Sequence, residues 1–200
     1  MKIAGLTGGL ACGKSFVAAA LRELGCYVIE ADALGHEVME PGGPAYEAIV
    51  REFGAEVLRA DGTVDRSRLA GLVFTDAERL KKLNAMVHPA VQALAAERFR
   101  EIGARDPGAI VIYVAAILIE TGGHRQVEKL ILVSCSRQQQ IERAMRRPGA
   151  TEKDVLARLE RQLPLQEKRR FADYFIDTSG TTEETLRQTR MVFEDLRLAS

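Results

Sequence analysis

The N-terminal part of the sequence contains a pattern that can hold phosphate groups. Residues 8 to 15 are Gly-Gly-Leu-Ala-Cys-Gly-Lys-Ser, which completes the spacing G-x-x-x-x-G-K-S. Glycines let the backbone curl so that its N–H groups point at an anion, the lysine reaches the β- and γ-phosphates, and the serine hydroxyl can ligate Mg2+. The pattern predicts a nucleotide-phosphate site formed by Gly8, Gly9, Ala11, Cys12, Gly13, Lys14, Ser15 and Phe16.

The segments on either side of this loop fit the same role. Ile3–Leu6 predicts a strand and Gly13–Leu24 predicts a helix, which is the strand, loop, helix order that the motif requires. The positive N-terminal end of the helix adds to the attraction for an anion. A glycine turn that serves packing alone is the alternative, but the match at all eight positions favours phosphate binding.

Short apolar runs that do not alternate with polar residues recur along the chain. Such runs, separated by helical patterns, are typical of a parallel sheet covered on both faces. We therefore expect an α/β fold, a doubly wound parallel five-stranded sheet with ligands at the carboxyl edge of the strands. The predicted strands are Ile3–Leu6, Tyr27–Ile29, Ile110–Val114, Leu130–Val133 and Tyr174–Ile176.

Composition excludes several classes of protein. The 200 residues are 46% hydrophobic, and 28 Lys and Arg balance 28 Asp and Glu, so nothing global indicates nucleic acid or a membrane surface. No apolar run approaches the roughly 20 residues of a membrane span, and no signal peptide is visible. Three scattered cysteines indicate neither a disulfide framework nor a zinc site. We expect a cytoplasmic protein, monomeric or weakly oligomeric, with no nucleic-acid or membrane partner.

A helical insert is predicted between the second and third strands. About eighty residues lie there, far more than a simple crossover needs. Tyr46–Phe53 and Arg66–Phe74 have helical patterns, as does Ala77–Ile102, which we expect to be interrupted at His88-Pro89. The predicted organisation is a single domain, residues 1–200, with a core at 1–40, 106–136 and 171–200, an insert at about 41–105 and a lid at about 137–170.

The predicted lid is rich in positive charge. Residues 137–170 contain ten Lys and Arg against five Asp and Glu, in a chain with no net charge. Most of these side chains fit a solvated helical hairpin, with a helix that begins at the box Thr151–Asp154. One or two arginines could instead close on a nucleotide phosphate. Arg143 is the first candidate and Arg146 the second, followed by Arg158 and Arg161.

Two aspartates follow apolar runs and could assist transfer of a phosphoryl group. Such transfer needs a carboxylate that orients or deprotonates the acceptor hydroxyl. Asp32 and Asp177 both qualify, although capping is the more common role of an isolated aspartate. We favour Asp32 because it leads into the insert, and we expect Asp177 to be structural.

Several blocks in order give the chain a resemblance to the dephospho-coenzyme A kinase family. They are Leu6–Gly9 leading into the phosphate loop, Val28–Asp32, Val38–Gly42, Leu83–Pro89, Ile117–Glu120 and Ala172–Asp177. The resemblance covers almost the whole chain. It implies a P-loop kinase fold and ATP-dependent phosphorylation, with Mg2+, of the ribose 3′-hydroxyl of dephospho-CoA. The products are coenzyme A and ADP, in the final step of coenzyme A biosynthesis.

The resemblance also implies roles for individual residues. Asp32 falls at the catalytic carboxylate, and we group Lys14 and Arg143 with it as catalytic. ATP would be bound by the loop from Gly8 to Phe16 together with Thr178 and Gly180, and Ser15 would hold the metal. The implied substrate-side residues are Thr7, Asp32, His36, Asn84, His88 and Glu120.

The sequence departs from the family pattern at several positions. The family usually has Gly-Ser where this chain has Ala11-Cys12, threonine at Phe16, proline at Ala116 and asparagine at Thr178. We interpret Cys12 as a small side chain that the loop tolerates; a reactive thiol at the helix N-terminus is the alternative.

Three other functions are weighed against this one. A GTPase switch is suggested by the D-x-x-G at residues 177–180, but it follows the last strand and no N-K-x-D is present. A P-loop kinase for another small hydroxyl acceptor, such as a nucleoside or a sugar acid, is a second alternative. A nucleotide-binding sensor without catalytic activity is the third, motivated by the departures above.

Overall fold

The computed structural model describes residues 1–74 and 76–198, with every side chain in them except that of Phe74. Residues 199 and 200, the end of the predicted core segment 171–200, lie outside the described residues. The strands are β1 (Lys2–Gly8), β2 (Tyr27–Glu30), β3 (Ile110–Val114), β4 (Lys129–Ser134) and β5 (Tyr174–Asp177). They form one parallel sheet in the order β2-β3-β1-β4-β5. The predicted fold class is confirmed, and each predicted strand matches an observed one to within two residues at either end.

The helices flank this sheet or form the insert. They are α1 (Lys14–Glu23), α2 (Ala31–Glu37), α3 (Tyr46–Phe53), α4 (Arg66–Phe74), α5 (Ala77–Arg105), α6 (Arg137–Met145), α7 (Glu152–Glu160), α8 (Leu165–Arg169) and α9 (Thr182–Leu198). None of the helices among the described residues is long and apolar enough to cross a membrane.

The central strand β1 carries the phosphate loop and is buried on both faces. It pairs with β3 from Lys2 to Leu6 and with β4 from Ala4 to Gly8. Apolar side chains from all three strands meet α1 and α9 in one core, which contains Ala4, Leu6, Val17, Leu21, Ile112, Ile131, Val133, Val192 and Leu196. Because β1 is held on two sides, the loop that follows it begins from a fixed position.

The chain forms two compact units. One comprises residues 1–29 and 105–200, and the other comprises residues 30–104. The second unit has its own apolar core, drawn from α3, α4, α5 and the segment around Val38, with Ile49, Phe53, Val57, Leu69 and Val73 buried in it. Helix α2, which the sequence assigned to the core, therefore groups with the insert, and the unit begins at Glu30 rather than near residue 41.

The expected break of α5 at His88-Pro89 is wrong. The helix runs without interruption from Ala77 to Arg105, with Pro89 inside it. A proline in a helix removes one backbone hydrogen bond and costs about 3 kcal/mol. Apolar residues on both sides of it, Leu83 and Val87 before and Val91 and Leu94 after, pack on the core of the insert. This packing holds the residues on both sides of Pro89 against the same core, which offsets the lost hydrogen bond.

Candidate active site

The phosphate loop has the backbone geometry that its glycines predict. A Cβ atom at Gly8 would lie 2.3 Å from the carbonyl oxygen of Val133, so this close approach to β4 requires glycine. Gly13 has φ of 82° and caps α1. Ala11 also has a positive φ, 55°, in the left-handed region where a side chain is strained. The loop is therefore fixed by strand pairing before it and by a helix after it.

Lys14 and Ser15 begin helix α1, where the predicted phosphate site requires them. The Lys14 Nζ lies 3.0 Å from the carbonyl oxygen of Gly9 and 3.4 Å from that of Gly8. Ser15 and Phe16 are exposed. A lysine ammonium folded over the loop can move to a phosphate, and an exposed serine hydroxyl can reach a metal bound by that phosphate.

Thr178 connects the loop to the end of β5 and to α6. Its buried hydroxyl lies 3.0 Å from the carbonyl oxygen of Cys12 and 3.2 Å from that of Ser134. Arg143 donates to Thr178 twice, from Nη1 to Oγ1 at 3.1 Å and from Nη2 to the carbonyl oxygen at 2.7 Å. The guanidinium of Arg143 is thus bound beside the loop, at the start of the basic stretch.

A cleft of about 170 Å³ brings together five of the predicted site residues. Those five are Gly13, Phe16, Arg143, Thr178 and Gly180, and the first turn of α9 completes the lining. The sequence predicted each of the five for the ATP side, although Arg143 and Gly180 lie 37 residues apart in the chain.

Two of the three free cysteines meet behind the loop. The sulfur atoms of Cys12 and Cys135 are 3.2 Å apart, and both residues are buried. The hydrogen bond with the Cys12 thiol lowers the pKa of Cys135, and the Arg143 charge and the Thr178 hydroxyl act in the same direction. The same hydrogen bond, together with burial, raises the pKa of Cys12. Burial alone raises the pKa of Cys26 to about 11.

Glu120 lies in an ion pair that the sequence did not predict. Its Oε1 is 2.9 Å from the Nζ of Lys168, and it accepts the backbone N–H of Leu163 at 2.9 Å. The Lys168 side chain is fully buried, at 0% exposed, and that of Glu120 is 20% exposed. The sequence counted Lys168 among ten cations of a surface stretch, and no local signal separates it from its neighbours Arg169 and Arg170.

Thr7 joins this group through a shared carbonyl. Its hydroxyl donates to the carbonyl oxygen of Ala116 at 3.3 Å, and Lys168 Nζ donates to the same oxygen at 2.8 Å. Two predicted substrate-side residues, Thr7 and Glu120, are thereby connected to the segment that follows β3. Hydrogen bonds from Thr7 and Lys168 therefore hold the segment that follows β3, and β3 is the neighbour of β1 in the sheet.

The other predicted substrate-side residues belong to the unit of residues 30–104. Asp32 lies two residues after β2, in the first turn of α2, and His36 lies one turn later; both are exposed. Asn84 and His88 are one turn apart on α5 and are half-buried. Burial lowers the pKa of His88, which favours its neutral form.

Asp177 has the local contacts of a structural residue. Its Oδ1 accepts the backbone N–H of Ser179 at 2.9 Å, and its own N–H donates to Gln188 Oε1 on α9 at 2.8 Å. These bonds fix the turn that presents Thr178.

Two of the three helices in the predicted lid, α6 and α7, begin at a side-chain cap. Ser136 and Gln139 form a reciprocal capping box at α6. The Thr151 side chain accepts the N–H of Asp154 at 3.2 Å, so the box predicted to begin a helix there is confirmed. Arg146 and Arg158 are exposed, on the turn after α6 and on α7.

No group of three or more His, Cys, Asp or Glu side chains that could hold a metal ion is found in residues 1–74 and 76–198. The donor at the phosphate loop is a single hydroxyl, that of Ser15. Such a donor set fits Mg2+, which keeps several waters and is bound largely through substrate phosphates.

The family model and the curated relatives that match this chain all carry the same description. The family model described as dephospho-CoA kinase matches residues 2–184. The dephospho-CoA kinase of Aquifex aeolicus is 41% identical over 196 residues, covering 98% of each chain, and that of Geobacillus kaustophilus is 44% identical over 185 residues, covering 92% of this chain and 91% of its own. A solved structure from Thermus thermophilus aligns with a TM-score of 0.85 and 34% identity, over 100% of this chain and 98% of that one.

Proposed function

This chain belongs to the dephospho-CoA kinase family, and from that premise we propose which of its residues carry out the transfer. The family reaction is the ATP-dependent phosphorylation of dephospho-CoA in coenzyme A biosynthesis. We propose that the acceptor is the ribose 3′-hydroxyl. The observation that carries the proposal is the phosphate loop with Lys14 at the head of α1, beside the cleft that Arg143, Thr178 and Gly180 line.

On the ATP side, we propose that the loop from Gly8 to Phe16 surrounds the phosphates with backbone N–H groups. Lys14 exchanges the carbonyl oxygens of Gly8 and Gly9 for the β- and γ-phosphates, because an ammonium is attracted more strongly to a phosphate anion than to an uncharged carbonyl oxygen. Thr178, Gly180 and Arg143 line the adjoining cleft. The Ser15 hydroxyl would hold Mg2+, and this ion would supply positive charge at the transferring phosphoryl group.

On the acceptor side, we propose that Asp32 orients the hydroxyl and takes its proton. Support comes from its exposed position, two residues after a strand of the sheet that also carries the phosphate loop. His36, Asn84 and His88 are proposed substrate contacts in the insert. Glu120, in the segment after β3, and Thr7, on β1 and hydrogen-bonded to that segment, are proposed as further contacts. The neutral form favoured at His88 suits a hydrogen bond better than an ion pair.

We propose the remaining organisation on the same basis. The unit of residues 30–104 serves as the acceptor-binding unit, and residues 137–170 serve as the lid. A cytoplasmic location, a monomeric or weakly oligomeric state and the lack of nucleic-acid or membrane partners stay predictions from the sequence.

A comparison of the two aspartates tests the proposal. Asp32→Asn keeps the shape of the side chain but removes its basicity, so single-turnover transfer from Mg-ATP to dephospho-CoA should fall by ~10²–10⁴-fold. ATP affinity should change by a few-fold at most. Asp177→Asn is the matched control, because it weakens the turn at Ser179 and should act on stability or ATP binding. If Asp177→Asn abolishes transfer with ATP bound and Asp32→Asn does not, the catalytic assignment is wrong.

The choice of acceptor is tested separately with the unmodified protein. Turnover of Mg-ATP should be rapid with dephospho-CoA and slight with free adenosine, because the insert contains the family-like block Leu83–Pro89 and is expected to hold a large nucleotide-like acceptor. Equal turnover of the two acceptors would contradict this specificity.

A further inference from the structure

The phosphate loop contains a thiol that faces a second thiol from another part of the chain. Cys12 lies in the middle of the loop, and Cys135 follows the last residue of β4. Their sulfur atoms are 3.2 Å apart, with Cys12 at 0% and Cys135 at 8% exposed. A disulfide needs a sulfur separation of about 2.0 Å, so a shift of about 1.2 Å would join them.

The surroundings favour Cys135 as the thiolate of the pair. The Cys12 thiol, the guanidinium of Arg143 and the hydroxyl of Thr178 favour negative charge on the Cys135 sulfur, and together they outweigh burial and the charge of Asp177, which oppose it. The thiolate is the form that attacks oxidants and disulfides, and a low-pKa thiol beside a resolving cysteine is the arrangement of redox-sensitive sites. Cys12, which keeps its proton, is placed to be the resolving partner.

Cys135 borders a cleft next to the phosphate loop. The cleft, of about 330 Å³, is also lined by Gly9 of the loop, Gln140 of α6, Leu159 and residues 162–166. The cleft is large enough for a small oxidant. Cys26, the other buried cysteine, does not line it.

We propose that Cys12 and Cys135 are an oxidation site that a peroxide converts to an intramolecular disulfide. The Cys135 thiolate attacks the O–O bond of hydrogen peroxide, forming a sulfenic acid; the leaving hydroxide takes a proton and departs as water. The Cys12 sulfur then attacks the sulfenic sulfur, its proton leaves with the hydroxyl group as a second water, and the S–S bond forms. The two sulfur atoms are oxidised by two electrons in all, and the peroxide is reduced to two waters.

The disulfide would displace the backbone N–H groups of the phosphate loop. Cys12 donates its N–H to the Gly9 carbonyl oxygen at 3.3 Å and accepts the Thr178 hydroxyl, and it lies between two residues with positive φ, Ala11 and Gly13. Drawing its sulfur toward β4 moves the amides on both sides. We expect turnover to fall by about 100-fold, because a misplacement of about 1 Å at a reacting group has an effect of that size. This expected loss rests on the proposed function. The disulfide itself does not depend on that function.

The test treats the reduced protein with hydrogen peroxide and measures intact mass, peptide linkage and turnover. We expect the loss of two hydrogen atoms, a Cys12–Cys135 peptide pair under non-reducing conditions, an activity loss of about 100-fold and recovery with dithiothreitol. Cys135→Ser should have ordinary basal activity and resist peroxide. Cys135→Ala repeats the measurement if the serine variant is unstable. Cys26→Ser is the matched control and should behave like the unmodified protein.

Each other result overturns a stated part of the proposal. If peroxide consumes the thiols without a Cys12–Cys135 linkage, or inactivates Cys135→Ser equally, the pair is not the oxidation site. If the linkage forms completely and turnover is unchanged, the disulfide does not control the loop. Failure of the proposed function is distinguishable, because the reduced enzyme would then lack turnover before any peroxide is added.

Discussion

Two lysines near the sheet show opposite uses of the same side chain. Lys14, in the phosphate loop, directs its ammonium to the carbonyl oxygens of Gly8 and Gly9. Lys168, behind the segment that follows β3, is fully buried and donates to the carboxylate of Glu120 and to a carbonyl oxygen. A carboxylate satisfies an ammonium far better than a carbonyl dipole does. The position of Lys14 at the head of α1 lets its ammonium contact a phosphate in the loop, whereas the fully buried Lys168 in its ion pair serves the structure.

The difference explains why a count of positive charge does not locate a phosphate site. The stretch 137–170 has a net charge of +5, yet its one fully buried cation among the described residues is neutralised by Glu120. Burial and pairing, rather than charge density, decide which cations remain for a ligand.

The largest effect is expected at the buried pair. Lys168→Met leaves the Glu120 carboxylate without its ammonium partner, and breaking a buried pair from one side costs about 3–5 kcal/mol of unfolding free energy. Urea unfolding measures this change. Arg170→Met is the control, because Arg170 forms an exposed pair with Glu167, and such pairs contribute about 0–1 kcal/mol.

The double variant Lys168→Met with Glu120→Gln sharpens the result. Removing both charges should recover part of the stability, because the cost comes mainly from the uncompensated carboxylate. If Lys168→Met is as stable as Arg170→Met, the buried pair contributes no more to stability than an exposed pair. The contrast drawn between Lys168 and Lys14 would then be wrong.

A smaller change in free energy, with a larger effect on rate, is expected at Lys14. A charge-assisted contact to phosphate contributes roughly 1.5–3 kcal/mol to binding, and more where charge develops during transfer. Lys14→Ala should therefore lower turnover by at least ~100-fold, with the unfolding free energy changed by less than about 1 kcal/mol. Steady-state kinetics and urea unfolding of the same preparation give both values. An enzyme that keeps half its rate would contradict the phosphate-loop assignment.

The smallest effect is expected on α7. Arg158 is exposed and lines a cleft of about 180 Å³ with Leu10, which precedes Ala11 in the loop. Arg158→Ala should change the unfolding free energy by less than about 0.5 kcal/mol. It should raise the KM for ATP by about threefold, since exposed charges contribute roughly 0.2–1 kcal/mol. Lys153→Ala, on the same helix, is the control. A rise of more than about a hundredfold would place Arg158 with Lys14 among the phosphate ligands.

The phosphate loop and the five strands could be predicted because each is determined by residues that are adjacent in the sequence. The phosphate loop is contiguous, so its residue types and spacing predict its form, and the strands were found because each is a short apolar run. The α5 helix was predicted as interrupted, because Pro89 is visible in the sequence whereas the packing of Leu83 and Val91 on either side of it is not.

Contacts between residues that are far apart in the sequence could not be predicted from it. Cys135 meets Cys12 because β4 lies beside β1 in the sheet, and the register of that pairing follows from the tertiary fold. Lys168 was classed with the surface because a solvated lysine and a buried, paired one have the same sequence neighbours. The pairing of Arg143 with Thr178 likewise needs β5 in place next to β4.

The central place of β1 also sets an order of events during synthesis. Lys2 pairs with Ile110 and Gly8 with Val133, so β1 has no partner until about a hundred residues after it have been made. The insert, whose core draws on residues 38–94, can collapse earlier. Because distant contacts must overcome loop-closure entropy, the sheet is expected to form late and slowly. The strand that leads into the phosphate loop is therefore made well before its two partner strands and is expected to be among the last elements to be paired.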